Sequence, residues 1–458
     1  MSSRYDLGAR FETQGIFWPS TDKTKQFPAH LKSGRKRIEL IRVELEEIRR
    51  LFESETPNIS VVHGITTMGP CTLIGLQVGR VKKVFNAASE NVVATPHFRV
   101  SAIVFGLHIQ DEAVQLFGAA TFSYAGAGVW VSPTTQIERT AEAIVISHPI
   151  AQTPPVNFCV CASKTCIQVE SVSRISFFPG GRHSGSRDEL QVSVQPFEPV
   201  SLVWLSETAR RFENFLSLCV GTSVGLRAVR LDIRREGNHD EGWLVGRTRG
   251  KVEKPDEECW IRCNASQLSA SIAAWLSMPE TFRPFENLVY GTIRNTPLFV
   301  ETEFLSLAQG LESLHRLTES GTLAPPSVFK RVLKALLLSI RSVCPSPALA
   351  DRLCDAIRYA NEPSFKNRIE SLLNRITAQH ARELLGDPQL FEETLRRTRN
   401  FLTHVGIRKQ NGVLVGTKEI FLFNQKLHAL LRLLMLQYLG FPEELVFGPV
   451  KYQSRKWK

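Results

Sequence analysis

Up to about residue 195, apolar residues come in short alternating or continuous runs. Ile38–Val43, Ser60–Gly64, Cys71–Leu76, Arg99–Gly106, Ala113–Tyr124, Val129–Val131, Ala143–Ser147 and Cys159–Val169 are cut from one another by glycines, prolines and polar clusters. A period of two over such lengths predicts strands, and their close spacing predicts an antiparallel sandwich or barrel. The glycine-rich segment from Phe177 to Arg187 reads as a loop. Inside this β-rich region, Ser206–Val220 places Phe212, Phe215, Leu216 and Cys219 on one face, which predicts an amphipathic helix. Residues 227–270 return to short strands around a polar loop from Arg234 to Gly242. Met278–Pro297, with Pro279, Pro284 and Pro297, reads as a domain boundary.

From Leu298 the period changes to that of long helices. Glu301–Leu317 carries the stripe Phe304, Leu307, Leu311 and Leu314. Val328–Val343, Ala348–Ala360, Ser364–Leu384, Pro388–Val405 and Leu422–Tyr438 follow as further helices, with a turn between Val413-Leu414 and Glu419–Leu422. The expected fold class is an α+β multidomain protein. A β-rich, sandwich- or barrel-like N-terminal domain over residues 1–290 precedes an all-α helical bundle over residues 298–458.

The length of 458 residues fits two to four domains at about 150 residues each. A content of 43% hydrophobic and 22% charged residues is ordinary for a globular chain. The most apolar segment, Leu427–Leu439, is broken by His428, Arg432 and Gln437, so it reads as a buried helix rather than a membrane span. The N-terminus MSSRYDLGARFE lacks an apolar signal core, and a cytoplasmic protein is expected. Nine thinly spread cysteines predict free thiols. Cys159, Cys161 and Cys166, with distant Cys259 and Cys263, match paired zinc hooks poorly, and Cys159 and Cys161 read as same-face strand positions. Glu236, His239, Asp240 and Glu241 crowd the polar loop, where they could hold a metal or form an exposed acidic tip.

The net charge of +11 is uneven: residues 300–458 hold 23 Lys and Arg against 15 Asp and Glu, a net of +8. A basic last third suits a polyanionic ligand or is a solvated face. The tail Lys451–Lys458 interleaves two aromatics with four cations, which fits either nucleic-acid contact or a frayed end.

Within that basic third, one stretch combines a cation, an amide and an imidazole in one predicted helix: Leu395-Arg396-Arg397-Thr398-Arg399-Asn400-Phe401-Leu402-Thr403-His404-Val405-Gly406. Asp387 is its expected N-cap, Pro388 its first helical residue and Gly406 its stop. His404 in the last turn would feel the unpaired carbonyls, which favour imidazolium. Asn400 and His404, four apart, share a face. Arg399 and His404, five apart, are separated by roughly 140° on an ideal helix. A cation that grips phosphate beside an imidazole that moves protons suits RNA cleavage by the ribose 2′-hydroxyl. A lone helix presents the two poorly to one phosphate, whereas two copies packed about a two-fold axis would surround one cleft with both pairs.

Residues 298–445 resemble the Apea-like HEPN domain. The matching stretches run from Phe304 to Arg316, from Asn361 to Phe365, and Thr398-Arg399-Asn400-Phe401-Leu402-Thr403-His404, which fits the R-N-x-x-x-H motif. The first half resembles the N-terminal domain that accompanies this HEPN type, through Gly15-Ile16-Phe17-Trp18-Pro19, Phe98–His108 and Phe212–Leu218. Its Pro19-Ser20 departs from the Leu-Pro expected after the tryptophan. The resemblance implies a metal-independent endoribonuclease without a cofactor, acting in anti-phage defence by abortive infection and active as a homodimer or higher homo-oligomer. It implies that Arg399 holds the scissile phosphate, that His404 is general base or acid, that Asn400 orients phosphate or histidine, and that Glu312 anchors Arg399. The N-terminal domain would sense a phage-derived trigger or restrain the nuclease. The competing expectation is a non-catalytic HEPN bundle that dimerises or binds nucleotide beside a partner-binding β domain.

Overall fold

The computed structural model describes residues 5–34, 38–42, 61–86, 91–109, 116–125, 127, 136–139, 144–147, 155–161, 163–177, 184–235, 238–246, 256–294, 298–319, 321–404 and 411–455. Val129–Val131, Gly406 and the last three residues of the tail lie outside them. The chain divides into two units, Met1–Ser277 and Met278–Lys458.

In the first unit the two-residue period becomes burial. Along Phe27–Ser33, Phe27, Ala29, Leu31 and Ser33 are buried while Pro28 and Lys32 face water. Fourteen of the described strands form one sheet, running from Val156–Val160 at one edge to Gln77–Asn86 at the other, and two short pairs, Gln136–Arg139 with Ile144–Ser147 and Leu116–Phe117 with Val200–Ser201, stand apart from it. Each pairing in it is antiparallel, as in Phe11–Pro19 against Phe27–Ser33 and Val61–Thr66. Phe17, Leu31, Leu40, Leu73, Ile103 and Phe105 share one core cluster. Gly15 is fixed by strand approach, since a Cβ there would sit 2.4 Å from the Ile65 carbonyl oxygen. Trp18 closes an aromatic group with His63 and His108, whose rings stack 4.8 Å apart.

Helix α1 (Leu202–Val220) starts four residues earlier than its apolar stripe predicts, because the Ser201 hydroxyl caps it by accepting from the Trp204 N–H. The Tyr124 hydroxyl donates to the Ala209 carbonyl at 2.8 Å and ties this helix to the sheet. Helix α2 (Ala265–Leu276) replaces the end of the expected strand region; Asn264 and Gln267 form its capping box.

Three expectations change here. Where a polar loop is expected from Arg234 to Gly242, Gly225–Arg235 pairs with Asn238–Gly246, His239 opposite Arg234 and Glu241 opposite Asp232, while Glu236 lies outside the described residues. Cross-strand hydrogen bonding outweighs polar composition at that position. The glycine-rich segment after Phe177 is bracketed by two long paired strands, Thr165–Phe177 and Ser184–Pro196, while residues 178–183 lie outside the described ones. Cys159 is not a free thiol. It faces Cys166 in the register of a tight hairpin and the two sulfurs are bonded, whereas Cys161 lies beyond the strand end, exposed and free.

The second unit is helical. Helix α3 (Arg283–Arg294) occupies the proline-marked segment read as a linker, and it packs on α4 (Val300–Thr318). That packing is why the division falls before Met278 rather than near residue 290. Phe304, Leu307, Ala308, Leu311 and Leu314 of α4 are buried, as their stripe requires. Helices α5 (Pro326–Val343) and α6 (Pro347–Arg358) form a hairpin. The long helix expected over Ser364–Leu384 is two, α7 (Phe365–Leu373) and α8 (Ala378–Leu385). Thr377 breaks it by capping α8, and its N–H and hydroxyl both donate to Glu443. Helix α9 (Pro388–Thr403) has the expected Asp387 cap and Pro388 start. Helix α10 (Thr417–Tyr438) runs along α4, with Phe423 stacked on Phe391 at 4.9 Å. Helix α11 (Glu443–Arg455) takes up residues 451–455 of the tail expected either to contact nucleic acid or to fray, its first turn carrying Glu443 and Glu444. Among the described residues no helix is long and apolar enough to cross a membrane.

Gly310 sits where three helices meet closely: a Cβ there would lie 3.1 Å from Val289 on α3 and 3.5 Å from Leu431 on α10. Gly310→Leu should therefore overpack the crossing and lower stability by about 1–3 kcal/mol. A thermal melt of the variant checks this; an unchanged midpoint would show that the crossing is loose.

Candidate active site

Three helices build the site. Helix α9 brings Arg399, α4 brings Glu312, and the first turn of α7 brings Phe365. Phe365 is placed there because the Ser364 hydroxyl caps α7 by accepting from the Asn367 N–H. The Arg399 Nη2 lies 3.5 Å from Glu312 Oε2, and its guanidinium carbon lies 5.1 Å from the centre of the Phe365 ring. Arg399 is thus braced by a carboxylate and an aromatic face while its side chain remains 31% exposed. A guanidinium carries five N–H donors, so this brace leaves several free for a phosphate.

Glu312 serves two cations at once: its other oxygen accepts from Arg316 Nη2 at 3.2 Å. Arg316 also reaches Glu362 at 2.9 Å, and Glu362 accepts from Arg368 Nη2 at 3.1 Å. Arg368 is buried, donates from Nε to the Pro363 carbonyl at 3.0 Å, and from Nη1 to His315 Nδ1 at 3.3 Å. His315 Nε2 in turn lies 3.1 Å from Glu319. An arginine always donates, so Nδ1 of His315 accepts and Nε2 carries the proton toward Glu319; the imidazole is held neutral.

The motif itself is only partly gathered. Helix α9 ends at Thr403 rather than Val405, and His404 is its C-cap, extended at φ −120° and ψ 96°, with its N–H on the Asn400 carbonyl at 3.1 Å. The helical-wheel separation of Arg399 and His404 therefore does not apply, because His404 has left the helix. His404 is exposed and Asn400 half-buried, and among the described residues neither side chain makes a hydrogen bond or ion pair. Asn411 and Leu414 are tied back to α9: Thr398, wholly buried, accepts from the Leu414 N–H at 3.1 Å, and Arg397 donates to the Asn411 carbonyl. Among the described residues, no three His, Cys, Asp or Glu side chains gather as metal ligands.

Sequence reasoning named Arg399, Asn400, His404 and Glu312 but gave no role to Phe365, Arg316, Glu362, Arg368 or His315. These lie in the two stretches quoted for the resemblance, Phe304–Arg316 and Asn361–Phe365, or next to them. The opposite charges of Arg316 and Glu362 were the one readable sign that these stretches meet.

Burial pushes the His315 imidazole below its ordinary 6.5; the Glu319 carboxylate opposes this, and Arg368, Arg375 and Arg316 reinforce it. The folded state then binds fewer protons than the unfolded one around pH 6, so stability rises with pH there. It is lost as pH falls below 6.5 toward the folded value. His315→Gln, which cannot protonate, should melt with a shallower pH dependence between neutral and mildly acid pH than the unchanged protein. Equal slopes would overturn the buried, neutral assignment.

Residues 12–262 match the family described as ApeA N-terminal domain 1, and residues 305–445 match Apea-like HEPN. No curated protein and no solved structure matches the chain at a significant level. The two matches fall on the sheet-containing unit and on the helices that hold Glu312, Phe365 and Arg399. This chain belongs to the ApeA family, joining an ApeA N-terminal domain to an Apea-like HEPN domain.

Proposed function

We propose that this protein is a HEPN endoribonuclease that cleaves RNA without a metal, as an effector of anti-phage defence by abortive infection. The observation that carries the reading is Arg399, braced by Glu312 and Phe365 yet open to water, on the helix that ends in His404. In the reaction, Arg399 neutralises the phosphate oxygens. The ribose 2′-oxygen attacks phosphorus as an imidazole takes its proton, and the bond to the 5′-oxygen breaks as that oxygen receives a proton from an imidazolium. Asn400 orients the phosphate or His404, and Glu312 holds Arg399.

Base and acid are two roles, and each chain brings one motif histidine. Two copies would supply His404 and the partner subunit's His404, so the active unit is at least a homodimer with the motif ends facing each other. The N-terminal unit would sense a phage-derived trigger; its open cleft of about 380 Å³ between α1 and the sheet, with Arg210 and Glu207 at its rim, is room for a small group. The net of +8 over residues 300–458 favours RNA. The alternative, a non-catalytic bundle that dimerises or binds nucleotide, draws on the same brace, since a salt-bridged arginine also stabilises a fold.

Purified full-length protein in EDTA should cut a tRNA or mRNA pool, leave 2′,3′-cyclic or 3′-phosphate ends, and spare DNA. Arg399→Ala and His404→Ala should each lose at least about 100-fold in rate. Mixing the two variants after subunit exchange should restore part of the activity. Cleavage lost in EDTA and regained with magnesium would sink the mechanism, and an Arg399→Ala protein of full activity would favour the non-catalytic reading.

RNA affinity should fall steeply with salt, because the ligand's phosphates release counterions on binding. A salt-independent dissociation constant would argue against a phosphate-gripping site.

A further inference from the structure

Helix α5 is eighteen residues long, its apolar side chains fall largely on one side, and none of its residues is buried. Val328, Val332, Leu336 and Val343 are 38%, 49%, 44% and 77% exposed, and their spacing puts them on one face. Leu349 and Leu353 of α6, four apart on one face of that helix, are 44% and 39% exposed as well. Lys330, Lys334 and Arg341 lie on the opposite side of α5 and make no ion pair among the described residues. Water alone is a poor cover for such a face, because helices draw most of their stability from packing an apolar stripe.

The hairpin grows from the edge of the candidate site. The Asn361 amide clasps its neck, accepting from the Ala324 N–H at 2.8 Å and donating to the Ala324 carbonyl at 3.0 Å, while the Leu323 N–H donates to the Asn361 carbonyl at 2.8 Å. The next residue is Glu362 of the charge network, and Phe365 beneath Arg399 follows on the same short segment.

We propose that the α5–α6 hairpin is the self-association arm of this protein: two copies lay these apolar faces together as a four-helix bundle, and the necks beside Arg399 are thereby held in one particle. The proposal rests on the dimeric reading above and names the surface that carries it. At about half exposure, six Val and Leu side chains leave on the order of 400–500 Å² of apolar surface in water. That is within the range of about 300–600 Å² for a monomer's largest patch, which is often functional, and two copies would cover about twice as much, close to the roughly 1,000 Å² floor of a specific interface. Identical apolar faces meet without opposing Lys330, Lys334 or Arg341, which point away. An anionic lipid surface fits less well, because α6 would lie on it with Asp351 and Asp355 as well as Arg352 and Arg358.

The test is light scattering on the full-length protein. The unchanged chain should run at twice 51.5 kDa. Leu336→Glu, on the face, should weaken association at least about 30-fold, as for a central contact residue, with helical content by circular dichroism unchanged. Leu338→Glu is the control: Leu338 is 65% exposed but two residues, and so about 200°, away from Leu336, and its dimer should persist. A mixture of Leu336→Glu and Leu336→Lys chains should pair again. A Leu336→Glu dimer as tight as the unchanged one would overturn the arm. So would an unchanged chain that stays monomeric, including one that floats with phosphatidylserine vesicles. RNA cleavage is read in parallel. A protein that dimerises through this face but cuts nothing loses the nuclease reading and keeps the arm, and one that cuts as a monomer does the reverse.

Discussion

One carboxylate, Glu312, holds the helical unit's chemistry in place. It sits on α4, the helix whose buried stripe packs on α3, α7, α9 and α10, and it divides its two oxygens between Arg399 and Arg316. An exposed guanidinium on a helix end would sample many rotamers; one set between Glu312 and the Phe365 ring is restricted, so it would lose less entropy on gripping an anion. The rigidity of α4 is passed to Arg399 through that contact.

Behind it, a chain runs from Arg316 through Glu362 and Arg368 to the neutral imidazole of His315 and on to Glu319. Arg368 is the costly member, buried and cationic, and it is tolerated because Glu362, the Pro363 carbonyl and His315 each take one of its N–H groups. The arrangement fixes the segment Asn361–Phe365 against α4. The same segment clasps the neck of the α5–α6 hairpin, so one short stretch links an apolar arm, a charge network and the residue beneath Arg399.

The first unit follows a different logic. Its apolar side chains alternate into a core along antiparallel strands, and polar groups gather around Trp18 with the stacked His63 and His108, and around Arg227 between Asp6 and the buried Glu189. Burial lowers the affinity of His63 for protons, with the Ile109 carbonyl opposing and His108 reinforcing. The Gly15–Pro19 stretch that carried the family resemblance is the strand that meets both, and Gly15 is there because a neighbouring backbone leaves no space for a Cβ.

The sequence by itself determined the two-part architecture, the helix at α1, the buried stripe of α4 and the start of α9, because hydrophobic period and capping chemistry are local properties. It also determined the R-N-x-x-x-H string. What it misassigned was set at a distance. Thr377 breaks a helix because Glu443 is there to accept its N–H, the expected 234–242 loop holds strand residues because Gly225–Arg235 and Asn238–Gly246 pair, and Cys159 pairs with Cys166 because the register places them opposite each other. Helix α3 holds only Pro284 of the three prolines in that segment, in its first turn where a missing N–H costs nothing, and it packs on α4 at Gly310. Of the candidate site, residue types were legible but not their assembly. That Arg399 rests on Phe365 and reaches Glu312 depends on contacts between side chains dozens of residues apart, which no local pattern encodes and only the packing of α4, α7 and α9 decides.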